Sequence, residues 1–212
     1  MDLKLLREAT RPEHEATEAT VSLMGPELTR AEYVTVLQRF HRVVCAWESV
    51  AAAEAPAALA ELVAQRGRCG SIVTDLRFFG TETQGNPPDV LLQQIRDLVE
   101  ANGRDEGDER TSRFLGAMYV LEGSTLGGQY IAHHVEAALQ LQPGEGDRFF
   151  RGYGKETMPK WREFQQALVA IPDEQSDIVI AAAKGMFGIF CEWMAGGAAS
   201  APEQKSRQAT KP

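Results

Sequence analysis

The sequence contains few cysteines, no long apolar run and no surplus of basic residues. Its 212 residues include 30 acidic and 22 basic side chains, which give a net charge of -8. Without an excess of Lys and Arg, the chain offers no basic surface for the phosphates of a nucleic acid. No apolar run approaches the roughly 20 residues that span a bilayer, and the N-terminus lacks the apolar core of a secretory signal. These absences predict a soluble cytoplasmic protein with no nucleic-acid or membrane partner.

The three cysteines, Cys45, Cys69 and Cys191, are odd in number and far apart in the chain. Their spacing indicates neither a disulfide framework nor a Cys-x-x-Cys metal site. We therefore expect them to be small core residues of a protein in a reducing compartment.

Several catalytic motifs are also missing. His133 and His134 are adjacent, so on a helix they point about 100° apart and cannot chelate one metal ion together. The chain has no Glu-x-x-His pair of the di-iron type, no P-loop and no Gly-x-Ser-x-Gly elbow. The sequence therefore disfavours di-iron, nucleotide-hydrolysing and serine-hydrolase chemistry.

Apolar residues recur at helical spacing almost throughout, and no alternating strand of useful length is present. We expect helices over about 3–24, from a Thr29–Glu32 capping box into the alanine-rich stretch 51–64, and over about 72–79, 90–99, 111–141, 161–171 and 173–194. A polar loop is expected near 102–109. The sequence predicts one all-α domain over residues 1–195 and a disordered tail over 196–212.

One candidate site lies in the first helical region. His14 and Glu18 are four residues apart, so they share a helix face and the carboxylate can reach a ring nitrogen. Such an acceptor fixes the tautomer of a metal-binding histidine. The alternative is a surface helix with a solvated histidine, which the spacing alone favours.

Arg7 lies two helical turns before His14, where a cation suits an anionic group about 10 Å from a metal. Pro12 stands between them, inside the expected helix. Thr10 and Glu13 would allow the helix to restart as a capping box with Pro12 in its first turn. The register between Arg7 and His14 therefore stays open.

A second candidate site is the segment Glu122–Gln129, which holds Gly123, Gly127 and Gly128. Each glycine costs about 1 kcal/mol relative to alanine inside a helix. The deficit indicates a kink or a group pressed against the backbone. Gly123 and Gly127 share a face that a flat ligand could approach. A tight helix crossing, or one helix ending as another starts, would explain the glycines equally well.

The last helix carries an apolar stripe of Phe187, Phe190 and Met194, which is typical of plain core. Arg162 follows Trp161 in the preceding helix. It is either a solvated charge or a clamp for a carboxylate.

In this order and spacing, the segments resemble the heme oxygenase family over residues 6–193. The stretch Leu-Arg-Glu-Ala-Thr followed by His14 and Glu18 is similar to the family's proximal-helix motif. The resemblance implies that His14 binds the heme iron. It also implies that four further positions contact the heme or its ligand: Glu18 bonds the histidine, Arg7 and Arg162 bind the propionates, and Phe187 packs on the porphyrin.

The segment Glu122–Gln129 is similar to the distal-helix signature of bacterial members, including those paired with bacterial phytochromes. The resemblance implies an all-α fold that holds heme between a proximal helix and a kinked distal helix. It assigns Gly123, Ser124, Gly127 and Gly128 to the distal, catalytic face. Ser124 stands where animal members carry an Asp that organises distal water.

The implied activity is the oxidation of heme b, both substrate and cofactor, to biliverdin, carbon monoxide and ferrous iron. It requires O₂ and an external electron donor, a ferredoxin or a reductase, and a bacteriophytochrome is the implied receiver of biliverdin. Two alternatives stay open at this point. One is a non-catalytic heme carrier or sensor, and the other is a fold relative acting on another substrate, such as a thiaminase-like hydrolase or a di-iron oxidase.

Overall fold

A computed structural model describes residues 1–21, 23–83, 85–100 and 108–196. These ranges form α-helices joined by turns and short 3₁₀ segments, and they contain no strand. The prediction of an all-α fold is confirmed. The polar loop predicted near 102–109 lies mostly outside the described residues, as does the predicted tail beyond residue 196.

The helices of the described ranges, in chain order, are α1 (Leu3–Ala9), α2 (Arg11–Thr20), α3 (Arg30–Glu54), α4 (Ala60–Ala64), α5 (Cys69–Phe78), α6 (Asp89–Val99), α7 (Asp108–Leu139), α8 (Thr157–Val169) and α9 (Ser176–Met194). The capping box predicted at the start of α3 is confirmed. The Thr29 hydroxyl accepts a hydrogen bond from the Glu32 backbone N–H, and the Glu32 carboxylate accepts one from the Thr29 backbone. The helix predicted over 3–24 is instead divided into α1 and α2, and it ends at Thr20.

Helix α9 lies at the centre of the fold and packs against α7, α2, α3 and α6. Its tightest crossing is with α7, where a Cβ on Gly116 would overlap the carbonyl oxygen of Val179. Phe187, Phe190 and Met194 on α9 are buried, as the helical stripe predicted. This crossing fixes the position of α7 against the core, and α2 rests on another side of α9.

Two of the three cysteines form a disulfide, which corrects the expectation that all would be unpaired core residues. Cys45 on α3 and Cys69 at the start of α5 are bonded, with their Cα atoms 5.2 Å apart. Cys191 is free. The paired cysteines are 24 positions apart in the sequence, and their contact arises only when α5 folds back onto α3.

No helix in the described ranges is both long and apolar enough to cross a membrane.

Candidate functional site

The break between α1 and α2 occurs at Thr10. Its hydroxyl donates to the Leu6 carbonyl, 2.8 Å away, and makes no capping bond to α2. The predicted capping box from Thr10 to Glu13 is therefore wrong, although Pro12 does lie in the first turn of α2. A proline is tolerated there because the first turn has no intrahelical partner for its missing N–H.

His14 lies on the open side of α2, with its side chain 58% exposed. Its Nδ1 atom faces the Glu18 carboxylate at 3.6 Å, an ion-pair separation too long for a hydrogen bond. This arrangement leaves Nε2 as the ring nitrogen available to a metal ion. The structure thus brings together the two residues that the sequence paired.

Phe187 of α9 contacts the His14 ring edge to face, with 6.0 Å between the ring centroids. Two polar contacts also join α2 to α9: Lys184 Nζ to Glu13 Oε1 at 3.1 Å, and Thr17 Oγ1 to Cys191 Sγ at 3.1 Å. No residue of α2 is itself buried. The helix therefore rests on α9 along one edge and leaves the rest of its surface open.

Both ends of α2 are also linked to α7. At the start, the Thr10 hydroxyl lies near the Tyr119 phenol of α7 and lowers its pKa. Five residues after the end of α2, the Gly25 carbonyl lies 3.0 Å from His134 Nε2, also on α7. The two links on α7 are 15 residues apart, or about 22 Å of helix. The segment of chain that carries His14 is thus held to α7 before and after α2.

Gly123 and Gly127 lie between those two links and on the same face of α7. A Cβ added to either would meet no atom within 4 Å. Helix α2 buries no residue, and a Cβ at either glycine would meet no atom, so the His14 side of α2 and this stripe of α7 are both open. We call the space between these two surfaces the cleft.

Helix α7 stays helical through all three glycines, so they do not mark a helix end or a new start. A tight crossing explains only Gly128, where a Cβ would overlap the carbonyl oxygen of Phe150. Gly128 therefore packs against protein, away from the face that Gly123 and Gly127 present. Its assignment to the ligand-facing set receives no support from this geometry.

Ser124 is exposed, and its hydroxyl forms two hydrogen bonds within the protein. Its hydroxyl donates to the Leu121 carbonyl at 2.7 Å and accepts from Arg68 Nη2 at 3.2 Å. The same Arg68 nitrogen donates to the Leu121 carbonyl at 2.6 Å. Arg68 is buried, and these bonds hold the turn of α7 that contains Gly123.

A buried ion pair braces the same turn. Arg66 Nε lies 3.1 Å from Glu122 Oε2, and the Tyr153 hydroxyl donates to Glu122 Oε1 at 2.7 Å. Burial is the main cause that raises the pKa of Tyr153; the Arg68 charge lowers it, and the Glu122 charge and hydrogen bond raise it, so the phenol stays a donor. Sequence reasoning did not single out Arg66 or Arg68, and it did not predict that Glu122 is buried, because charged residues are usually solvated and their burial depends on packing.

Arg7 and Arg162 are both exposed, and neither forms an ion pair with a described residue. Burial raises the pKa of Tyr119, while the Thr10 hydroxyl and the Arg7 charge lower it, so Arg7 lies near Tyr119. Trp161, the neighbour of Arg162, packs on the Tyr119 ring with 6.0 Å between centroids. The two cations are therefore carried by helices that meet at Tyr119, at one end of the cleft.

Two adjoining clefts, of about 280 Å³ each, open between the later part of α7 and residues 151–158. Thr125, Leu126 and Gln129, which belong to the candidate segment Glu122–Gln129, are among the residues that line them.

Comparison with known proteins gives the family. The sequence model for heme oxygenase matches residues 2–196. The chain belongs to the heme oxygenase family. A search among curated proteins gives no match.

Solved structures share the heme oxygenase fold at low sequence identity. Heme oxygenase from Leptospira interrogans is 22% identical with a TM-score of 0.74, over 91% of this chain and 98% of that one. The NO- and CO-bound heme oxygenase from Neisseria meningitidis is 19% identical with a TM-score of 0.66, over 95% and 96%. A domain of unknown function from Shewanella denitrificans is 16% identical with a TM-score of 0.68, over 92% and 91%. The fold therefore occurs both in heme oxygenases and in a protein without an assigned function.

Proposed function

We propose that this protein is a heme oxygenase that binds heme b in the cleft between α2 and α7. The observation that carries the proposal is the pairing of an available His14 Nε2 on one wall with bare glycine backbone on the other. Imidazole is a common axial ligand of heme iron, and a flat macrocycle needs a face without side chains opposite it. The residues present fit the group.

His14 would hold the iron, and Glu18 would orient the ring through Nδ1. Phe187 would contact both the histidine and the macrocycle, since it already packs edge-on against His14. Arg7 and Arg162 carry no competing ion pair with a described residue and would bind the propionates. These contacts would set the rotation of the ring in the cleft and hence which of its carbons faces Gly123 and Gly127.

When bound, heme supplies both the iron that takes up O₂ and the ring that is oxidised, to give biliverdin, carbon monoxide and ferrous iron. The chain contributes a distal face without an acid or base side chain at Gly123 and Gly127. Ser124 does not serve as a proton donor in this proposal, because its hydroxyl proton is committed to the Leu121 carbonyl. Protons would reach the cleft through ordered water instead. A ferredoxin or reductase would supply electrons, and a bacteriophytochrome is the proposed receiver of biliverdin.

The test compares His14→Ala with His133→Ala, which removes a 71% exposed histidine six residues beyond Gly127 and on another face of α7. Hemin titration should give a low-energy Soret complex in the wild type and in His133→Ala. In His14→Ala the shift of that band should be lost or the affinity reduced at least tenfold. Reductant and O₂ should then convert the wild-type complex to a biliverdin spectrum. A His14→Ala protein with an unchanged complex would overturn the ligand assignment.

A heme carrier or sensor is the second candidate, and the committed Ser124 hydroxyl favours it. In that case hemin would bind through His14 while reductant and O₂ produced no biliverdin. We keep the cytoplasm as the proposed location, where a thiol-reducing environment would also determine the state of Cys45 and Cys69.

A further inference from the structure

A cluster separate from the cleft joins α3 to α5. Each of His41, Cys45 and Cys69 offers one ligand atom, and the three atoms lie within 4.8 Å of one another. His41 and Cys45 are four residues apart on α3, so they share a helix face. Cys69 is the first residue of α5 and reaches them from across the helix pair. Such a set matches three ligands of a thiolate and imidazole metal site.

The environment of the His41 ring is a second feature that points to a ligand. It is only 7% exposed, and its ring makes no hydrogen bond within the described ranges. Its ring nitrogens are not among the fully buried polar atoms that lack a partner, so a ligand can reach them. No protein group in the described part of the chain competes for them, and a metal ion could bind one of them.

The scaffold holds these residues together without help from the disulfide. Glu48, one turn after Cys45 on α3, accepts backbone hydrogen bonds from Arg68 at 2.5 Å and from Cys69 at 2.9 Å. These bonds tie the first residues of α5 to α3. Both bonds end on the same Glu48 oxygen, so Glu48 positions the start of α5 beside α3 and is not counted among the metal ligands. Breaking the disulfide would therefore leave both thiols beside His41.

We propose that the reduced protein binds one Zn²⁺ ion through the thiolates of Cys45 and Cys69 and the imidazole of His41, with water as the fourth ligand. A dithiol or phosphine reductant supplies two electrons, and two protons are taken up as the S–S bond breaks to give two thiols. Binding of the ion then releases the two thiol protons. At a Zn–S distance of about 2.3 Å, tetrahedral geometry places the sulfurs about 3.8 Å apart. Side-chain rotation can supply that separation, since the two Cα atoms are 5.2 Å apart.

The test uses heme-free full-length protein, reduced with a phosphine and desalted without oxygen. Co²⁺ replaces Zn²⁺ as the probe, because tetrahedral cobalt thiolates have intense ligand-field and charge-transfer bands. We expect one Co²⁺ per reduced chain, displaced by one equivalent of Zn²⁺, and no such bands from the oxidised protein. His41→Gln should weaken binding at least tenfold, because it leaves only a two-thiolate chelate. Cys191→Ser should bind as the wild type does.

Alkylation of the wild type gives a second measurement that needs no variant. Zn²⁺ should protect Cys45 and Cys69 from iodoacetamide, as read by peptide mass spectrometry, while Cys191 reacts at an unchanged rate. Absence of the cobalt bands, or equal alkylation with and without Zn²⁺, would overturn the site. Undiminished affinity in a folded His41→Gln protein would overturn the role of the imidazole.

Discussion

The charge of Glu122 offers a direct test of the network that braces α7. Glu122→Gln keeps the size of the side chain but removes the buried partner of Arg66, whose side chain is 3% exposed. Breaking a buried ion pair by removing one charge costs about 3–5 kcal/mol. Arg66 would keep the Leu62 and Lys160 carbonyls and the Glu163 carboxylate. These remaining partners place the expected loss of stability near the lower end, at about 3 kcal/mol.

Urea unfolding of the heme-free protein, followed by far-UV circular dichroism, measures that loss. In a thermal melt of the same protein, the melting temperature should fall by roughly 6–12 °C, at about 2–4 °C per kcal/mol for a chain of this size. Glu163→Gln is the matched control, because Glu163 also pairs with Arg66 but is 50% exposed. Exposed pairs contribute at most about 1 kcal/mol, so this control should change stability little. Equal losses in the two variants would refute the idea that burial gives Glu122 its importance.

Two further predictions concern the open face of α7 and a buried acid of α5. Gly127→Leu should raise the stability of the heme-free protein by about 0.8 kcal/mol through helix propensity, yet weaken hemin binding by roughly tenfold because the new side chain fills the cleft. Gly70→Leu, in the first turn of α5 with open space around it, should gain less stability and leave hemin binding unchanged, and equal hemin affinity in both variants would place the cleft elsewhere. Burial is the main cause that raises the pKa of Asp75 from 3.8 to about 6. Between pH 3.8 and pH 6, the Asp75 carboxyl is therefore protonated in the folded state and ionised in the unfolded state. Stability from Asp75 is therefore fully present below about pH 4 and falls by about 3 kcal/mol as the pH rises through 6, and Asp75→Asn should remove this slope in urea unfolding across pH 4–7. Parallel pH profiles for the wild type and Asp75→Asn would contradict the assignment.

The sequence predicted those parts of the structure that depend on residues close together in the chain. The His14–Glu18 pair follows from a spacing of four on one helix, and the Thr29–Glu32 capping box follows from a spacing of three. The open face of α7 at Gly123 and Gly127 was also predictable from the sequence, because glycines inside a helix lower its stability and therefore need an explanation.

Features that depend on packing between distant segments were missed. The Cys45–Cys69 bond needs α5 to fold against α3, and the burial of Arg66 beside Glu122 needs α7 and α8 to enclose it. Gly128 illustrates the same limit, since no local pattern distinguishes a glycine packed on Phe150 from one that faces a cleft. At Thr10 the local pattern wrongly predicted a capping box with Glu13, because the Thr10 hydroxyl donates to the carbonyl of Leu6 in the preceding helix.

The absence of any buried residue in α2 has a thermodynamic consequence. A helix of 10 residues is marginal in water by itself, so α2 depends on its edge contacts with α9 and on the links at its two ends. Occupancy of the cleft and the helix–coil equilibrium of α2 are therefore linked, and each shifts the other by the same free energy. The affinity measured for any ligand of His14 includes the work of ordering this helix, and amide hydrogen exchange along α2 reports that work directly.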